Sequence, residues 1–95
     1  MCGAEMSLEP VPRETVHWFG REMEATLRKN DHKGGWEREA PDSLFHRIYD
    51  EWQELGKALV GWHEGTAGTE AIIAEAVDVA NFAMFIADLA QKTVR

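Results

Sequence analysis

The stretch that decides the fold is Glu75-Ala76-Val77-Asp78-Val79-Ala80-Asn81, which lies inside an apolar segment running from about Glu70 to Lys92. Apolar residues cover nearly the whole circumference that this segment would have as a helix, namely Ile72, Ile73, Val77, Val79, Phe82, Phe85, Ile86 and Leu89. A helix that is apolar on almost all sides is usually buried. Glu75, Asp78 and Asn81 form its one polar line, and acidic groups on a buried helix are rarely left unpaired. The segment therefore predicts a buried third helix whose polar line has a function.

Two amphipathic helices are predicted before this segment. The first begins near Arg13 or Glu14, just after a proline, and ends by about Asn30. The second begins at Pro41-Asp42-Ser43, with one of the last two residues as its N-cap. Its predicted packing stripe, at steps of three and four, is Phe45, Ile48, Trp52, Leu55, Leu59 and Trp62. With Thr69 capping the third helix, the sequence predicts an all-α helical bundle of about three main helices per chain.

Length and composition indicate one small domain, with residues 1–12 as an N-terminal tail and residues 13–95 as the helical domain. The chain has 95 residues, of which 44% are hydrophobic, so it should fold rather than stay disordered. A chain this short buries a limited core, and oligomerisation would complete the bundle. We expect a homodimer or homotetramer. Its interface is predicted to bury four residues of the third helix that its own neighbours would leave partly exposed, Phe82, Phe85, Ile86 and Leu89.

The charge balance excludes some classes of partner. Acidic residues outnumber basic ones by 17 to 10, and the net charge of −7 argues against general nucleic-acid binding. No apolar run is long enough to span a bilayer, and the N-terminus lacks the apolar core of a signal peptide. The single cysteine, Cys2, cannot form an internal disulfide. We therefore expect a cytoplasmic protein with neither nucleic acid nor membrane as its partner.

Two pairs of carboxylates stand three residues apart, Glu51 with Glu54 and Glu75 with Asp78. Residues at that spacing share one face of a helix, so two such helices side by side could direct four carboxylates at one point. The four groups would repel one another, and a divalent cation would remove that cost. Oxygen-rich sites of this kind suit Mg²⁺ or Mn²⁺. The alternative is that each pair is a solvated helix face, and for the first pair alone this is the commoner situation.

Residues 29–40 form a connection longer than two packed helices require, and such polar loops often carry function. Lys29, Asn30 and Lys33 are candidates for binding substrate, because an anionic substrate needs local positive charge in an acidic chain. The commoner alternative is a loop of solvated side chains. Trp36 either stacks on a base or anchors the loop to the helices. Asn81, one turn after Asp78, either contacts substrate or a ligand, or ends the polar line in solvent.

The two acidic motifs resemble the metal signature of the MazG-like, all-α nucleotide pyrophosphohydrolases. Glu51-x-x-Glu54-Leu55 resembles the end of that family's first acidic motif, and the run from Glu75 through Asp78 and Asn81 to Met84 resembles the second. The loop between Lys29 and Trp36 resembles one found in some small members. The resemblance extends from about residue 15 to residue 92. Asp50 departs from the pattern, since many relatives have Glu there; it either supports a ligand or is itself a ligand.

This resemblance implies an Mg²⁺-dependent hydrolase that converts a ribo- or deoxyribonucleoside triphosphate to its monophosphate and pyrophosphate, as in housekeeping of the nucleotide pool. Glu51, Glu54, Glu75 and Asp78 would hold the cation, Mg²⁺ or Mn²⁺. Glu51 or Glu54 would accept the proton of the attacking water. Lys29, Asn30, Lys33, Trp36 and Asn81 would bind the substrate. The family is commonly dimeric or a dimer of dimers, which agrees with the oligomer expected from composition.

Two other classes of protein fit the residues. One is a non-catalytic helical interaction or regulatory protein, whose acidic pairs are solvated or bind a structural metal. The other, less well supported, is a carboxylate-bridged metal oxidase. Glu14-x-x-His17 has the spacing of a di-iron ligand pair, but such a site needs a second Glu-x-x-His, and the chain has none. Trp52 and Trp62 are predicted to be core residues, and Trp18 a core or interface residue.

Overall fold

The computed structural model describes residues 10–93, and all regular secondary structure in that range is helical. Helix α1 spans Glu14–Lys29, α2 spans Pro41–His63 and α3 spans Thr69–Lys92, with a short 3₁₀ turn at Asp31–Lys33. The prediction of an all-α fold with three main helices is confirmed. The predicted N-terminal tail falls mostly on residues 1–9, which lie outside the described residues; residues 10–12 have no regular structure.

The helix boundaries follow local chemistry, with two small corrections. Ala40 occupies the N-cap position of α2 and Pro41 its first turn, so Asp42 lies inside the helix rather than capping it. Proline at this position has its backbone pre-set for a helix, and the Asp42 carboxylate interacts favourably with the helix dipole. Thr69 is likewise the first residue of α3 and not its cap, which is Gly68.

Helix α2 ends in a Schellman motif. Gly65 adopts a left-handed conformation with φ of 77°, which glycine reaches at little cost. The amide of Thr66 donates to the carbonyl of Gly61 at 2.8 Å, and the amide of Gly65 donates to that of Trp62 at 3.2 Å. These bonds satisfy carbonyls that the helix end would otherwise leave free, and they turn the chain back. Helices α2 and α3 thereby form an αα-hairpin.

Helix α3 is the centre of the structure. It packs along α2 and, less extensively, against α1, whereas α1 and α2 do not pack on each other within the described residues. The radius of gyration is 16.6 Å, compared with about 12 Å for a compact chain of this size. The side chains buried most completely are few: Leu44, Ala58, Val77 and Asn81. The three helices therefore form an open arrangement with a thin core.

The face of α2 that turns toward α3 is not the predicted one. The least exposed positions along the helix are Leu44, Ile48, Glu51, Leu55 and Ala58. Ile48 and Leu55 belong to the predicted stripe, but its other members point outward, and Trp52 and Trp62 are 60% and 46% exposed. The prediction that these two tryptophans are core residues is wrong for the single chain. Trp18, predicted as core or interface, is 37% exposed.

The apolar side chains that the single chain leaves partly or largely exposed lie on both α3 and α2. Phe82, Phe85, Ile86 and Leu89 are half-buried in α3, while the most exposed large apolar side chains of the three helices lie on α2. We call the row Phe45, Tyr49, Trp52 and Leu59 the outward face of α2, and the row Leu44, Ile48, Glu51, Leu55 and Ala58 its inward face. Within residues 10–93, no helix has the length and apolar character needed to cross a membrane.

Candidate metal centre

Three carboxylates from two helices converge beside the α2–α3 contact. One oxygen each from Glu51, Glu75 and Asp78 lies within 4.8 Å of the other two. Glu51 occupies the inward face of α2, and Glu75 and Asp78 lie one turn apart on α3. All three side chains are half-buried. The predicted convergence of the two acidic motifs is therefore present for three of the four carboxylates.

The electrostatics of this cluster disfavour three full negative charges. Partial burial raises the pKa of Glu51, and the nearby charges of Asp78 and Glu75 raise it further. Burial and then the charge of Asp78 raise the pKa of Glu75. Burial raises the pKa of Asp78. Since each group resists ionisation in this half-buried place, a cation at the cluster would remove a cost that the folded chain carries without one.

Glu54 lies outside the cluster. Its carboxylate accepts a hydrogen bond from Lys57 Nζ at 3.1 Å, and it is about half exposed on α2. A position three residues after Glu51 is turned too far around the helix from the inward face to join the other oxygens. Its charge still contributes to the raised pKa values of Glu51 and Glu75. Asp50, the other acidic candidate on α2, is exposed and also outside the cluster.

An open cavity of about 640 Å³ begins at this cluster, where Glu51 and Asp78 form part of its wall. Such a volume is within the range of small-molecule sites. Its other lining residues come from all three helices and the loop, and they are Thr26, Leu27, Asn30, Asp31, Lys33, Gly34, Gly35, Trp36, Glu37, Glu39, Leu44, Arg47, Asn81, Phe82 and Phe85. The wall therefore combines acidic side chains, from the cluster and from the loop, with cationic, amide and aromatic side chains.

Trp36 anchors the loop to α3. Its indole ring stacks on Phe85, with ring centroids 4.3 Å apart and an interplanar angle of 15°. Its Nε1 donates to Asp88 Oδ2 at 3.0 Å. Hydrogen bonds from Lys92, Trp36 and Gln91 lower the pKa of Asp88 to about 2. Of the two roles predicted for Trp36, these contacts favour the anchor, although one side of the residue still lines the cavity.

The predicted substrate-binding residues of the loop separate into two groups. Asn30 and Lys33 line the cavity, whereas Lys29 is exposed at the end of α1 and does not. Asn30 Nδ2 donates to the carbonyl of Thr26 at 3.1 Å, which fixes the side chain against the last turn of α1. Gly34, with φ of 89°, lets the chain turn after the 3₁₀ segment that carries Lys33.

Arg47 is a cavity residue that the sequence reasoning missed. Its guanidinium carbon lies 4.7 Å from the centroid of the Phe82 ring, a cation–π arrangement. Its positive charge lowers the pKa of Glu51 and so opposes the effect of the neighbouring carboxylates. The signal was available, because Arg47 precedes Glu51 by four residues and therefore shares its face of α2. The cavity thus has two cationic side chains, Lys33 and Arg47.

Asn81 is the one polar side chain among the described residues that is almost fully buried, at 4% exposure. Its Nδ2 donates to the carbonyl of Met23 on α1 at 3.3 Å, and its Oδ1 has no donor within residues 10–93. An unpaired buried polar atom costs about 1–3 kcal/mol. Asn81 is therefore neither solvated nor at the end of an exposed polar line, and it lines the cavity one turn beyond Asp78.

The residues at the cluster fit a hard divalent cation. Three carboxylate oxygens from a rigid helix pair are ligands that Mg²⁺ and Mn²⁺ prefer, and Mg²⁺ commonly combines few carboxylates with water and substrate phosphates. Among residues 10–93, this is the one group of three or more histidine, cysteine or acidic side chains close enough to share an ion. His17 and Glu14 do not form part of such a group.

Comparison with known proteins identifies no relative of this chain. No protein-family model matches the chain, and no curated protein or solved structure matches it significantly.

Proposed function

We propose that this protein is an Mg²⁺-dependent nucleoside triphosphate pyrophosphohydrolase of the MazG-like kind. The observation that carries the proposal is the convergence of Glu51, Glu75 and Asp78 at the wall of a cavity that also contains cationic and aromatic side chains. The spacing in Glu51-x-x-Glu54 and Glu75-x-x-Asp78 resembles that of the family's metal signature. The substrate is a ribo- or deoxyribonucleoside triphosphate, and the products are its monophosphate and pyrophosphate.

Each group of cavity residues has a part in this reaction. Glu51, Glu75 and Asp78 hold the cation, which supplies neutralisation of phosphate charge and activation of water for in-line attack on phosphorus. Lys33 and Arg47 offset the remaining charge of the phosphates. Water adds to the α-phosphorus as the bond between that atom and the bridging oxygen breaks, so pyrophosphate leaves with that oxygen.

Glu51 is the better candidate for the proton acceptor. It lies in the carboxylate cluster, whereas Glu54 is held by Lys57 and turned away. Because a carboxylate has two oxygens, Glu51 can hold the cation through one of them and accept the proton at the other. In this reaction Glu51 takes the proton from water at one of its carboxylate oxygens.

The test is a product assay with a panel of ordinary, deoxy and modified triphosphates and Mg²⁺. We expect monophosphate and pyrophosphate in equal amounts and no inorganic phosphate from a purified chain. EDTA and Asp78→Asn should each abolish turnover while the helical circular dichroism is retained. Wild-type turnover by the Asp78→Asn chain would remove Asp78 from the site, and no turnover with any triphosphate would overturn the function.

A second function is favoured by a different observation. The outward face of α2 exposes Phe45, Tyr49 and Trp52 in a row, each at more than half of its full exposure. Exposed apolar rows of this kind mark protein interfaces. A helical interaction protein with a structural cation would have this face and the carboxylate cluster but would show no turnover, which the same assay distinguishes.

We propose that a second copy of the chain covers this outward face in a homodimer, which can pair further into a homotetramer. The thin core and open shape support the pairing, because a chain this small gains most of its missing burial from a partner. Pairing along the outward face would leave the cavity, which α2 lines with Leu44, Arg47 and Glu51, open to substrate.

A further inference from the structure

The carboxamide of Asn81 has a fixed orientation. The Met23 carbonyl can only accept a hydrogen bond, so the amide must direct Nδ2 toward it, as it does at 3.3 Å. Turning the amide over would place two acceptors against each other. Oδ1 is therefore the acceptor end, and the contact between α3 and α1 holds it there.

Oδ1 of Asn81 is the one side-chain oxygen or nitrogen, among residues 10–93, that is buried without a hydrogen-bond partner. Buried polar groups are almost always paired, so an exception calls for a physical explanation. No side chain of the described residues supplies one. A donor from outside the chain would satisfy this oxygen.

The surroundings of Asn81 suit a flat group with apolar faces. Phe82, the next residue of α3, and Phe85, one turn further on, line the same cavity, and Leu27 and Leu44 line it from the other two helices. Ligand sites of this kind combine apolar walls with a few polar groups that fix orientation. A sugar, which carries several hydroxyls, would need more partners than this apolar part of the wall provides.

We propose that Asn81 Oδ1 accepts a hydrogen bond from an N–H group on the base of the bound nucleotide, and that Asn81 therefore selects the base. The inference rests on the proposed function only in taking the ligand to be a nucleotide. Because Oδ1 exposes less than 1 Å², the neighbouring side chains must shift slightly as the base enters. Carboxylates at one turn of α3 then face the phosphates, and Asn81 at the next faces the base.

Binding of nucleoside monophosphates in EDTA tests this without cation or turnover. Tryptophan fluorescence, to which Trp36 at the cavity wall contributes, reports the titration. AMP, GMP, CMP and UMP are compared first. The monophosphate that binds most tightly is then compared with an analogue in which C–H or N–CH₃ replaces the N–H on the edge of its base. We expect the analogue to bind about tenfold more weakly, as for loss of one hydrogen bond to a buried oxygen.

Variants assign that discrimination to Asn81. Asn81→Leu keeps the shape but has no acceptor, and it should bind the base and its analogue equally. Gln53→Leu makes the same kind of change at an exposed position of α2 outside this cavity and should bind like the wild type. If Asn81→Leu does not fold, the wild-type comparison of base and analogue still decides.

Several results would overturn the inference. These are equal binding of base and analogue by the wild type, unchanged discrimination in Asn81→Leu, or no binding of any monophosphate. Loss of binding on 2′- or 3′-deoxygenation of the sugar, with no effect of the base analogue, would assign the donor to the sugar and also overturn it. Pyrophosphate release with any of these results would leave the proposed function intact. Base discrimination through Asn81 without pyrophosphate release would support this inference and overturn that function.

Discussion

The inward and outward faces of α2 are both apolar at helical spacing, but only the inward face carries a carboxylate. Glu51 lies among Ile48 and Leu55 and is half-buried against α3, whereas Trp52, the next residue, is 60% exposed. The difference of one position separates a group with a raised pKa at a cavity from an aromatic ring in solvent. Burial in this helix is therefore determined by the partner it packs on and not by the hydrophobicity of its residues.

The two glutamates of α2 provide the sharpest test of this difference. Glu51→Gln should lower turnover by about 100-fold or more, because it removes both a cation ligand and the proton acceptor. Glu54→Gln, on the same helix and already paired with Lys57, should change it by only a few-fold. Steady-state kinetics with Mg²⁺ checks both variants. Comparable losses in the two would mean that Glu54 acts with the cluster.

Two leucines of α2 compare the faces in terms of stability. Leu55→Ala on the inward face should lower the free energy of unfolding by about 2 kcal/mol, since it leaves space against α3. In the monomeric chain at low concentration, Leu59→Ala, at a position 40% exposed, should cost less than about 1 kcal/mol. Urea denaturation measures both. A larger cost for Leu59→Ala that grows with protein concentration would show that a partner covers the outward face.

Trp52 tests the proposed pairing directly. If the outward face forms the dimer contact, Trp52→Ala should weaken dimerisation by about tenfold or more, as large aromatic residues dominate interface energies. Sedimentation velocity over a range of concentrations measures the change, and Arg21→Ala, at an exposed position of α1, serves as the control. A wild-type chain that stays monomeric at micromolar concentration and retains full activity would end the dimer proposal.

The smallest expected effect is a pH dependence of stability in the absence of divalent cations. In the folded chain, the pKa values of Glu51, Glu75 and Asp78 are raised, so the folded state holds more protons than the unfolded state. The cluster's contribution is therefore favourable at low pH and is lost as pH rises from the ordinary carboxyl range through the raised values. Thermal unfolding in EDTA should show this fall, and Mg²⁺ should reverse it.

The pKa of Asp88 is shifted in the opposite direction from those of the cluster, so this residue serves as an internal control. Its pKa is lowered to about 2, so its contribution is present above the ordinary aspartate range and is lost as pH falls toward 2. Asp88→Asn should remove that acid-side loss and leave the cation-free decline at higher pH unchanged. If stability without cations falls with rising pH as much in Glu51→Gln as in the wild type, the fall does not come from the carboxylate cluster.

The three helices and the meeting of the acidic motifs could be predicted from spacing, because helical periodicity depends on nearby residues. The register of α2 could not, since Phe45 and Leu44 begin two apolar rows that periodicity alone ranks equally. The spacing of three predicts that Glu54 shares the direction of Glu51, yet its carboxylate pairs with Lys57. Trp36 contacts Phe85 and Asp88 across about fifty residues of sequence, a distance over which local patterns carry no information.

Of the two other long helices among residues 10–93, α1 packs on α3 alone. This should affect how fast the amide hydrogens of α1 exchange with solvent. A helix held by one neighbour opens at lower free energy than the hairpin of α2 and α3, and the cavity wall at Thr26 and Leu27 would open with it. The amides of α1 should therefore exchange with deuterium faster than those of α3, and a ligand that joins Asn81 to this wall should slow them. Such protection would make α1 a reporter of occupancy in a protein whose candidate metal ligands lie on the other two helices.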